Sequence, residues 1–225
     1  MLDRIRGGLI VSVQAEAESL LNTPETIALL ARVAERNGGA AVRIEGAARI
    51  DAVCRAVRVP VIGLVKRAYP GFAPYITPTA REIDEVLDAG AAAVAFDATL
   101  RPRPGGVLHA GIIARISARG RLAMADCAEA ADARHAAAAG AHIVASTLCG
   151  YTEETRGMPL PALELVRAMR GLAFNVCEGG VGSAAAVAAA FAAGADAVVV
   201  GTAITNVDVL VRNFVAATPA GAKAT

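Results

Sequence analysis

The chain has no tryptophan, and only 4% of its 225 residues are aromatic. It also lacks an excess of either charge, because 22 lysines and arginines are balanced by 21 aspartates and glutamates. Nucleic-acid surfaces need a basic face with aromatic side chains on which bases stack, and anionic membranes attract basic patches. The composition therefore predicts that neither nucleic acid nor a membrane is a partner.

Long apolar runs are missing as well. The apolar run that follows residues 1–8 is only about six residues long, which is shorter than the apolar region of a signal peptide. The longest apolar stretch, from Ser183 to Val200, is interrupted by Gly194 and Asp196. It is more typical of a helix, a turn and a strand than of a membrane span.

Metal-ligand patterns are also absent from the sequence. The chain has four cysteines, none in a CxxC pair and none with a histidine at the spacing of a metal site. We interpret the cysteines as small core residues of a protein in the reducing cytoplasm, and we predict no metal centre. They are Cys54, Cys127, Cys149 and Cys177.

What the sequence does contain is a repeat. Four segments combine an Ala-rich or amphipathic stretch, a glycine suited to a helix C-terminus and a short run suited to a buried strand. Their matching glycines are Gly39, Gly90, Gly140 and Gly194, with gaps of 51, 50 and 54 residues. Four further apolar runs alternate with these segments and begin at Leu9, Val61, Leu122 and Ala173.

This alternation predicts eight strands and eight helices in a single domain spanning residues 1–225. Helices are expected, for example, at Pro24–Arg36, Thr79–Ala89 and Ser183–Ala192. A unit of about 25 residues suits a (β/α)8 TIM barrel with a parallel eight-stranded sheet. An open doubly wound sheet shares the alternation, but no Gly-rich dinucleotide loop follows the first strand, which favours the barrel. Residues 217–225 are small and polar and are expected to form a flexible tail.

Polar side chains gather at the carboxyl ends of the expected strands, where TIM barrels carry their active sites. The strand starts have no such pattern. The residues at these ends are Gln14, Arg43, Lys66, Asp97, Asp126, Ser146, Thr147, Glu178 and Gly201.

Lys66 and Glu178 each follow a row of alternating apolar residues, so their side chains are expected to point into the barrel mouth. A lysine in such a place loses solvation of its charged form, its pKa falls, and it can act as a base at carbon. Schiff-base formation with a carbonyl is a second chemistry open to a buried lysine. A purely structural ion pair between the two residues is a third interpretation.

Two glycine-rich turns follow the seventh and eighth expected strands. Backbone N–H groups of these two turns bind phosphate in many TIM barrels. We therefore predict phosphate binding by Gly179, Gly180, Gly201 and Thr202. The alternative is that the glycines only make tight turns, and Ser183 suits the N-cap of the helix that follows.

Several motifs resemble one family in order along almost the whole chain: "GGLIVSVQA", "VIGLVKR", "YITPT", "DATLRPRP", "MADC", "STLCGYT", "EGG" and "GTAIT". They resemble the bacterial N-acetylmannosamine-6-phosphate 2-epimerase family. The resemblance implies a (β/α)8 barrel that interconverts N-acetylmannosamine 6-phosphate and N-acetylglucosamine 6-phosphate in sialic acid breakdown. It implies proton removal and return at C2 of the open-chain sugar, with no cofactor and no metal.

The resemblance also implies roles for individual residues. Lys66 corresponds to the base and acid at C2, and Glu178 corresponds to its partner, which donates a proton or steers the sugar hydroxyls. The residues that would hold the sugar and its N-acetyl group are Gln14, Arg43, Asp126 and Thr152. Three positions depart from the family pattern: Gly180 and Asn206 stand where arginines are usual, and Thr202 stands where a small residue is usual.

Alternatives to the epimerase stay open from the residues alone. The first is an aldolase-type enzyme with Lys66 as its Schiff base, and the second is a phosphosugar-binding barrel without turnover. A third is a metal-dependent ribulose-phosphate epimerase, which His109, His135 and His142 do not support because they form no ligand set. A homodimer is possible, since the Ala-rich helices from Ala128 and Ser183 suit close packing against another chain.

Overall fold

The computed structural model describes residues 1–219, in which eight parallel strands close into a barrel in the order β1 to β8. The strands are β1 Leu9–Val13, β2 Ala41–Glu45, β3 Val61–Leu64, β4 Ala93–Asp97, β5 Leu122–Asp126, β6 Ile143–Ala145, β7 Phe174–Cys177 and β8 Ala197–Val200. This closed barrel confirms the predicted (β/α)8 fold and excludes the open doubly wound sheet.

A helix lies between each pair of consecutive strands and another follows β8, with two short extra helices before β1 and after β8. The helices are α1 Leu2–Ile5, α2 Pro24–Arg36, α3 Ala47–Ala56, α4 Ala80–Asp88, α5 His109–Ala118, α6 Ala130–Ala138, α7 Leu163–Ala168, α8 Ala184–Ala192, α9 Thr202–Thr205 and α10 Val207–Ala216. No helix in this part of the chain is long and apolar enough to cross a membrane.

The helix boundaries follow capping chemistry that the sequence carries. The Thr79 side chain caps α4 and Ser183 caps α8, so the two predicted helices begin one residue later than expected. Helix α2 has the predicted bounds. Of the expected flexible tail, residues 217–219 are exposed, and residues 220–225 lie outside the described residues.

The repeat glycines occupy the helix C-terminal position in three of the four units. Gly90, Gly140 and Gly194 have φ of 90°, 94° and 100°. In the first unit the prediction of Gly39 is wrong, because Gly38 takes the positive φ of 89°. Gly39 serves close packing instead: a Cβ there would lie 2.9 Å from the carbonyl oxygen of Ala34.

Alternation along the strands divides the core into two layers, as period two requires. One layer fills the barrel, with Ile62 and Leu64 of β3, Met124 of β5 and Phe174 and Val176 of β7. The other layer lies between the barrel and the helices. Continuing the inner rows by two residues leads to Lys66, Asp126 and Glu178, so the inner face of each strand carries its polar residue to the mouth.

Candidate active site

A cavity of about 720 Å³ opens at the carboxyl ends of the strands. This volume lies within the range of small-molecule sites. Eight of the ten predicted site residues line it: Gln14, Arg43, Lys66, Glu178, Gly179, Gly180, Gly201 and Thr202. The remaining two, Asp126 and Thr152, are buried behind its wall.

Lys66 is held by a short antiparallel bridge in the loop after β3. Its backbone pairs with Ile76, and the amide of Thr77 donates to the carbonyl of Val65 at 2.7 Å. Thr77 has a φ of 43°, a conformation that costs a residue with a Cβ free energy. Its hydroxyl donates to the carbonyl of Ala95 at 2.6 Å and accepts from the amide of Val65 at 3.2 Å, which holds this conformation.

The residue after Lys66 anchors the same loop to helix α4. Arg67 pairs with the buried carboxylate of Glu82 and with Glu85. Glu82 also accepts from the hydroxyl of Tyr69 at 2.9 Å and from the amide of Thr79 at 3.0 Å. This carboxylate therefore ties the loop that carries Lys66 to the start of α4.

Arg43 is the centre of a buried charge cluster. Its guanidinium donates to both carboxylate oxygens of Asp126, at 3.1 Å and 2.6 Å, and also to Glu178. The Thr147 hydroxyl lies 2.8 Å from Asp126 Oδ1 and 3.1 Å from Glu178 Oε2. One cation thus faces two carboxylates, and its side chain is only 2% exposed.

Burial decides the protonation of this cluster. It raises the pKa of Glu178 and of Asp126 above their usual values, although the adjacent Arg43 opposes the rise. For Arg43, burial alone would lower the pKa, but the charges of Asp126 and Glu178 outweigh it and raise the pKa. The guanidinium therefore stays charged, while the carboxylates hold protons to a higher pH than free carboxyl groups do.

Lys66 lines the cavity, and its ammonium has a neutral partner. The Nζ atom donates to Gln14 Oε1 at 2.8 Å. Burial of the charge among the cavity walls, followed by repulsion from Arg43, lowers the pKa of Lys66. Attraction to Glu45, Glu178 and Asp126 opposes this effect without cancelling it. A lysine with a lowered pKa has a larger neutral fraction and is a better base at neutral pH.

The two expected partners, Lys66 and Glu178, have no direct hydrogen bond or ion pair in the described residues. Lys66 bonds to Gln14 and Glu178 pairs with Arg43 instead. The structural ion pair considered above therefore does not form. Strands β3 and β7 are four positions apart in the closed order of eight. Lys66 and Glu178 therefore approach the cavity from opposite walls.

The side-chain amide of Gln14 is oriented by Ser12, which precedes it by two residues and shares its face of the sheet. Gln14 Nε2 donates to Ser12 Oγ at 2.8 Å, which leaves Oε1 to face Lys66. Ser12 is held in turn, because the Thr205 hydroxyl donates to its carbonyl at 2.8 Å. A chain of hydrogen bonds thus connects helix α9 with Lys66.

The glycine turns after β7 and β8 form another wall of the cavity. Gly179 and Gly180 have φ of 101° and 67°, which other residues rarely adopt. A Cβ on Gly180 would also collide with Leu160. Gly201 allows the backbone after β8 to approach Ser12 of β1 closely, since an added Cβ would lie 3.2 Å from that of Ser12. Ser183 caps α8 by accepting from the amide of Ala186 at 3.1 Å.

Thr152 and Asp97 are among the polar residues named from the sequence that lie outside the cavity wall. The Thr152 hydroxyl pairs with that of Thr155 at 2.9 Å within the loop after β6, and its contact with substrate stays a prediction. Asp97 accepts from the amide of Thr99 at 2.9 Å and from Arg101 at 2.9 Å. Asp97 therefore organises its own loop.

Among the polar residues of the cavity wall that sequence reasoning did not assign to the site are Ser12, Tyr75 and Thr147. Two of them had a signal, because Ser12 shares the inner face with Gln14 and Thr147 stands at the carboxyl end of β6. Tyr75 had none, since it reaches the cavity only through the bridge between Lys66 and Ile76. Burial raises the pKa of Tyr75, so its phenol stays protonated.

The histidines belong to other parts of the barrel. His109 and His135 meet edge to face with ring centroids 5.0 Å apart, and burial lowers the pKa of His109 to about 4. His142 accepts from the amide of Ala123 at 3.1 Å. Within residues 1–219, no group of three or more His, Cys, Asp or Glu side chains is arranged to hold a metal ion.

A closed (β/α)8 barrel with a lysine, two carboxylates and an arginine in its mouth defines the class of TIM-barrel enzymes. Residues 27–220 match the family described as "Putative N-acetylmannosamine-6-phosphate epimerase". The chain belongs to this N-acetylmannosamine-6-phosphate epimerase family.

Individual relatives cover nearly the whole chain. A protein of Synechococcus elongatus is 44% identical over 96% of this chain and 95% of its own length. One of Thermosynechococcus vestitus is 45% identical over 95% and 94%. Both are called "Putative N-acetylmannosamine-6-phosphate 2-epimerase". The solved N-acetylmannosamine-6-phosphate 2-epimerase of Clostridium perfringens superposes with a TM-score of 0.92 at 34% identity, covering 95% of this chain and 94% of that one.

Proposed function

We propose that this chain interconverts N-acetylmannosamine 6-phosphate and N-acetylglucosamine 6-phosphate in the breakdown of sialic acid and amino sugars. Membership of the epimerase family supports the reaction. The observation that carries the mechanism is Lys66, which has a lowered pKa and a neutral partner at the mouth of the cavity. Opposite it lies Glu178, whose pKa is raised.

The reaction acts on the open-chain sugar, in which the C1 aldehyde acidifies the proton on C2. Neutral Lys66 removes that proton, and the electron pair of the C–H bond moves onto the carbonyl oxygen to give an enolate. Protonated Glu178 returns a proton to C2 from the other face, which inverts the centre. The positions of the two groups on opposite walls support this assignment, because inversion requires a proton to leave and return on different faces.

The other residues hold the substrate and the charge in place. Arg43 and Thr147 position the Glu178 carboxyl group. Asp126 in turn accepts hydrogen bonds from Arg43 and fixes its guanidinium. The guanidinium also stabilises negative charge that develops in the enolate. Gln14 orients Lys66, and the backbone of Gly179, Gly180, Gly201 and Thr202 receives the phosphate. Thr152 acts on substrate in this proposal only if its loop rearranges.

The test is proton NMR of N-acetylmannosamine 6-phosphate in D2O, with the wild type and with Lys66→Ala. The non-phosphorylated sugar runs in parallel. The proposal predicts product formation with deuterium at C2, lost in the variant. No exchange on either sugar with a folded wild-type protein would contradict it.

Family membership does not favour the two main alternatives, an aldolase-type enzyme and a binding barrel without turnover. The aldolase has a direct test because the chain contains only two lysines, Lys66 and Lys223. Borohydride added with substrate to a Lys223→Arg chain is expected to give no covalent adduct. An adduct on Lys66 would support the Schiff base.

The substrate that the cavity binds is a small phosphosugar. We place the reaction in the cytoplasm. The four cysteines, all unpaired in the structure, support a reducing compartment.

A homodimer is part of the proposal. Exposed apolar side chains on α10 support it, among them Val211, Phe214 and Val215. Sedimentation of the purified chain checks the assembly.

A further inference from the structure

The wall of the cavity formed by the last two turns and α10 has no basic side chain. We call this the C-terminal wall, defined by Gly180, Gly182, Thr202, Asn206 and Asn213. The basic residues that line the cavity are Arg43 and Lys66, and both belong to the proton-transfer end. A phosphate held only by backbone N–H groups and neutral side chains would lack the charge-assisted hydrogen bonds on which strong phosphate recognition depends.

One arginine stands just outside this wall. Arg212 lies on α10 between Leu210 and Asn213, which both line the cavity. Its guanidinium forms a two-pronged pair with Glu16, at 3.0 Å and 2.5 Å. Glu16 itself lines the cavity, so Arg212 is paired directly with a residue of the cavity wall.

The pair of Arg212 and Glu16 is easy to open. The two side chains are 59% and 43% exposed, and exposed ion pairs contribute little to stability. A phosphate monoester carries nearly two negative charges and three acceptor oxygens, so it competes well against one carboxylate for a guanidinium. A second contact joins the loop after β1 to α10: Ser19 Oγ donates to Asp208 Oδ2 at 2.6 Å.

We propose that Arg212 exchanges Glu16 for the 6-phosphate of the bound sugar, and that this exchange sets the preference for phosphorylated over neutral sugar. The inference rests on the proposed function. Glu16 then opposes phosphate binding in two ways, because it occupies Arg212 and places a negative charge in the wall. A neutral sugar leaves the pair closed.

The two partners of one ion pair are therefore expected to act in opposite directions. Arg212→Gln is expected to lower kcat/KM for N-acetylmannosamine 6-phosphate by about 10- to 100-fold, mainly through KM. The same variant should leave the non-phosphorylated sugar within about twofold, because this sugar presents no charge to Arg212. Glu16→Gln is expected to lower KM for the phosphorylated sugar.

Two controls separate recognition from a structural effect. Ser19→Ala removes the other contact between the same loop and α10 without changing charge. Arg115→Gln breaks a comparable exposed two-pronged pair with Asp84, at 2.7 Å and 2.5 Å, far from the cavity. Both are expected to leave the ratio of kcat/KM for the two sugars unchanged.

A binding measurement keeps this inference separate from the epimerase proposal. Calorimetry of the phosphorylated sugar with the Lys66→Ala chain reports affinity without turnover. In the Lys66→Ala background, Arg212→Gln should weaken binding of the phosphorylated sugar by about 10- to 100-fold. Glu16→Gln should strengthen it. If both variants shift affinity in the same direction, or if Arg212→Gln weakens both sugars equally, the exchange is wrong even where epimerisation is observed.

Discussion

Replacing Arg43 by methionine tests the buried charge cluster most severely. The variant leaves Asp126 and Glu178, with side chains 0% and 12% exposed, without their cation. Removing one partner of a buried ion pair costs about 3–5 kcal/mol of stability. Since 1 kcal/mol shifts the Tm of a domain of this size by about 2–4 °C, a fall of about 6–20 °C is expected at pH 8.

The penalty depends on pH in a direction that the structure determines. Burial raises the pKa of both carboxyl groups, and Arg43 opposes the rise, so its removal raises both pKa values further. The folded state then binds more protons than the unfolded state between about pH 4 and these raised values. Stability therefore falls as pH rises through this range, and the loss relative to wild type is smaller at pH 5 than at pH 8.

The measurement is urea unfolding of both proteins at pH 5 and pH 8. Arg119→Met serves as the control, because Arg119 and its partner Asp88 are 51% and 68% exposed and the change is expected to cost less than about 1 kcal/mol. Adding Glu178→Gln to Arg43→Met should recover part of the stability at pH 8. A loss below about 1 kcal/mol, or an equal loss at both pH values, would show that Arg43 does not compensate the two buried carboxylates.

Two further predictions concern the cavity wall. Gly180→Ala meets both a positive φ and a collision with Leu160, so it should destabilise the chain by about 1–3 kcal/mol in thermal unfolding. Gly182→Ala should cost far less, because the added Cβ would lie 4.0 Å from the carbonyl oxygen of Gly180 and φ lies outside the left-handed region, and equal losses would be inconsistent with this account. Gln14→Leu removes the acceptor that favours the charged form of Lys66, so the acidic limb of the pH profile of kcat/KM should move to lower pH. An unchanged limb would show that Gln14 does not set this pKa.

The fold was predictable because its signals are local and repeated. Rows such as Ile62, Leu64 and Lys66 need only the period of a strand to be assigned to one face. Caps such as Thr79 and Ser183 act within one turn of a helix. The exact glycine at the end of α2 was not predictable, because two neighbouring glycines satisfy the same pattern and only packing against Ala34 separates their roles.

The site was predictable as a set of residues and not as a set of contacts. Strand ends converge by the geometry of the barrel, so Lys66 and Glu178 could be assigned to the mouth. Their partners could not be predicted, because Arg43 reaches from β2 to β5 and β7 over sequence separations of 83 and 135 residues. The position of Tyr75 likewise depends on how the loop after β3 folds back.

In the proposed mechanism, Lys66 and Glu178 move the C2 proton from opposite walls of the cavity. The decisive experiment follows C2 deuterium with Glu178→Gln in D2O, starting from each epimer separately. The variant should keep exchanging the C2 proton of the epimer whose proton faces Lys66, while the other epimer neither forms nor exchanges. Formation of both epimers at the wild-type rate would contradict the account, because a single base would then serve both faces.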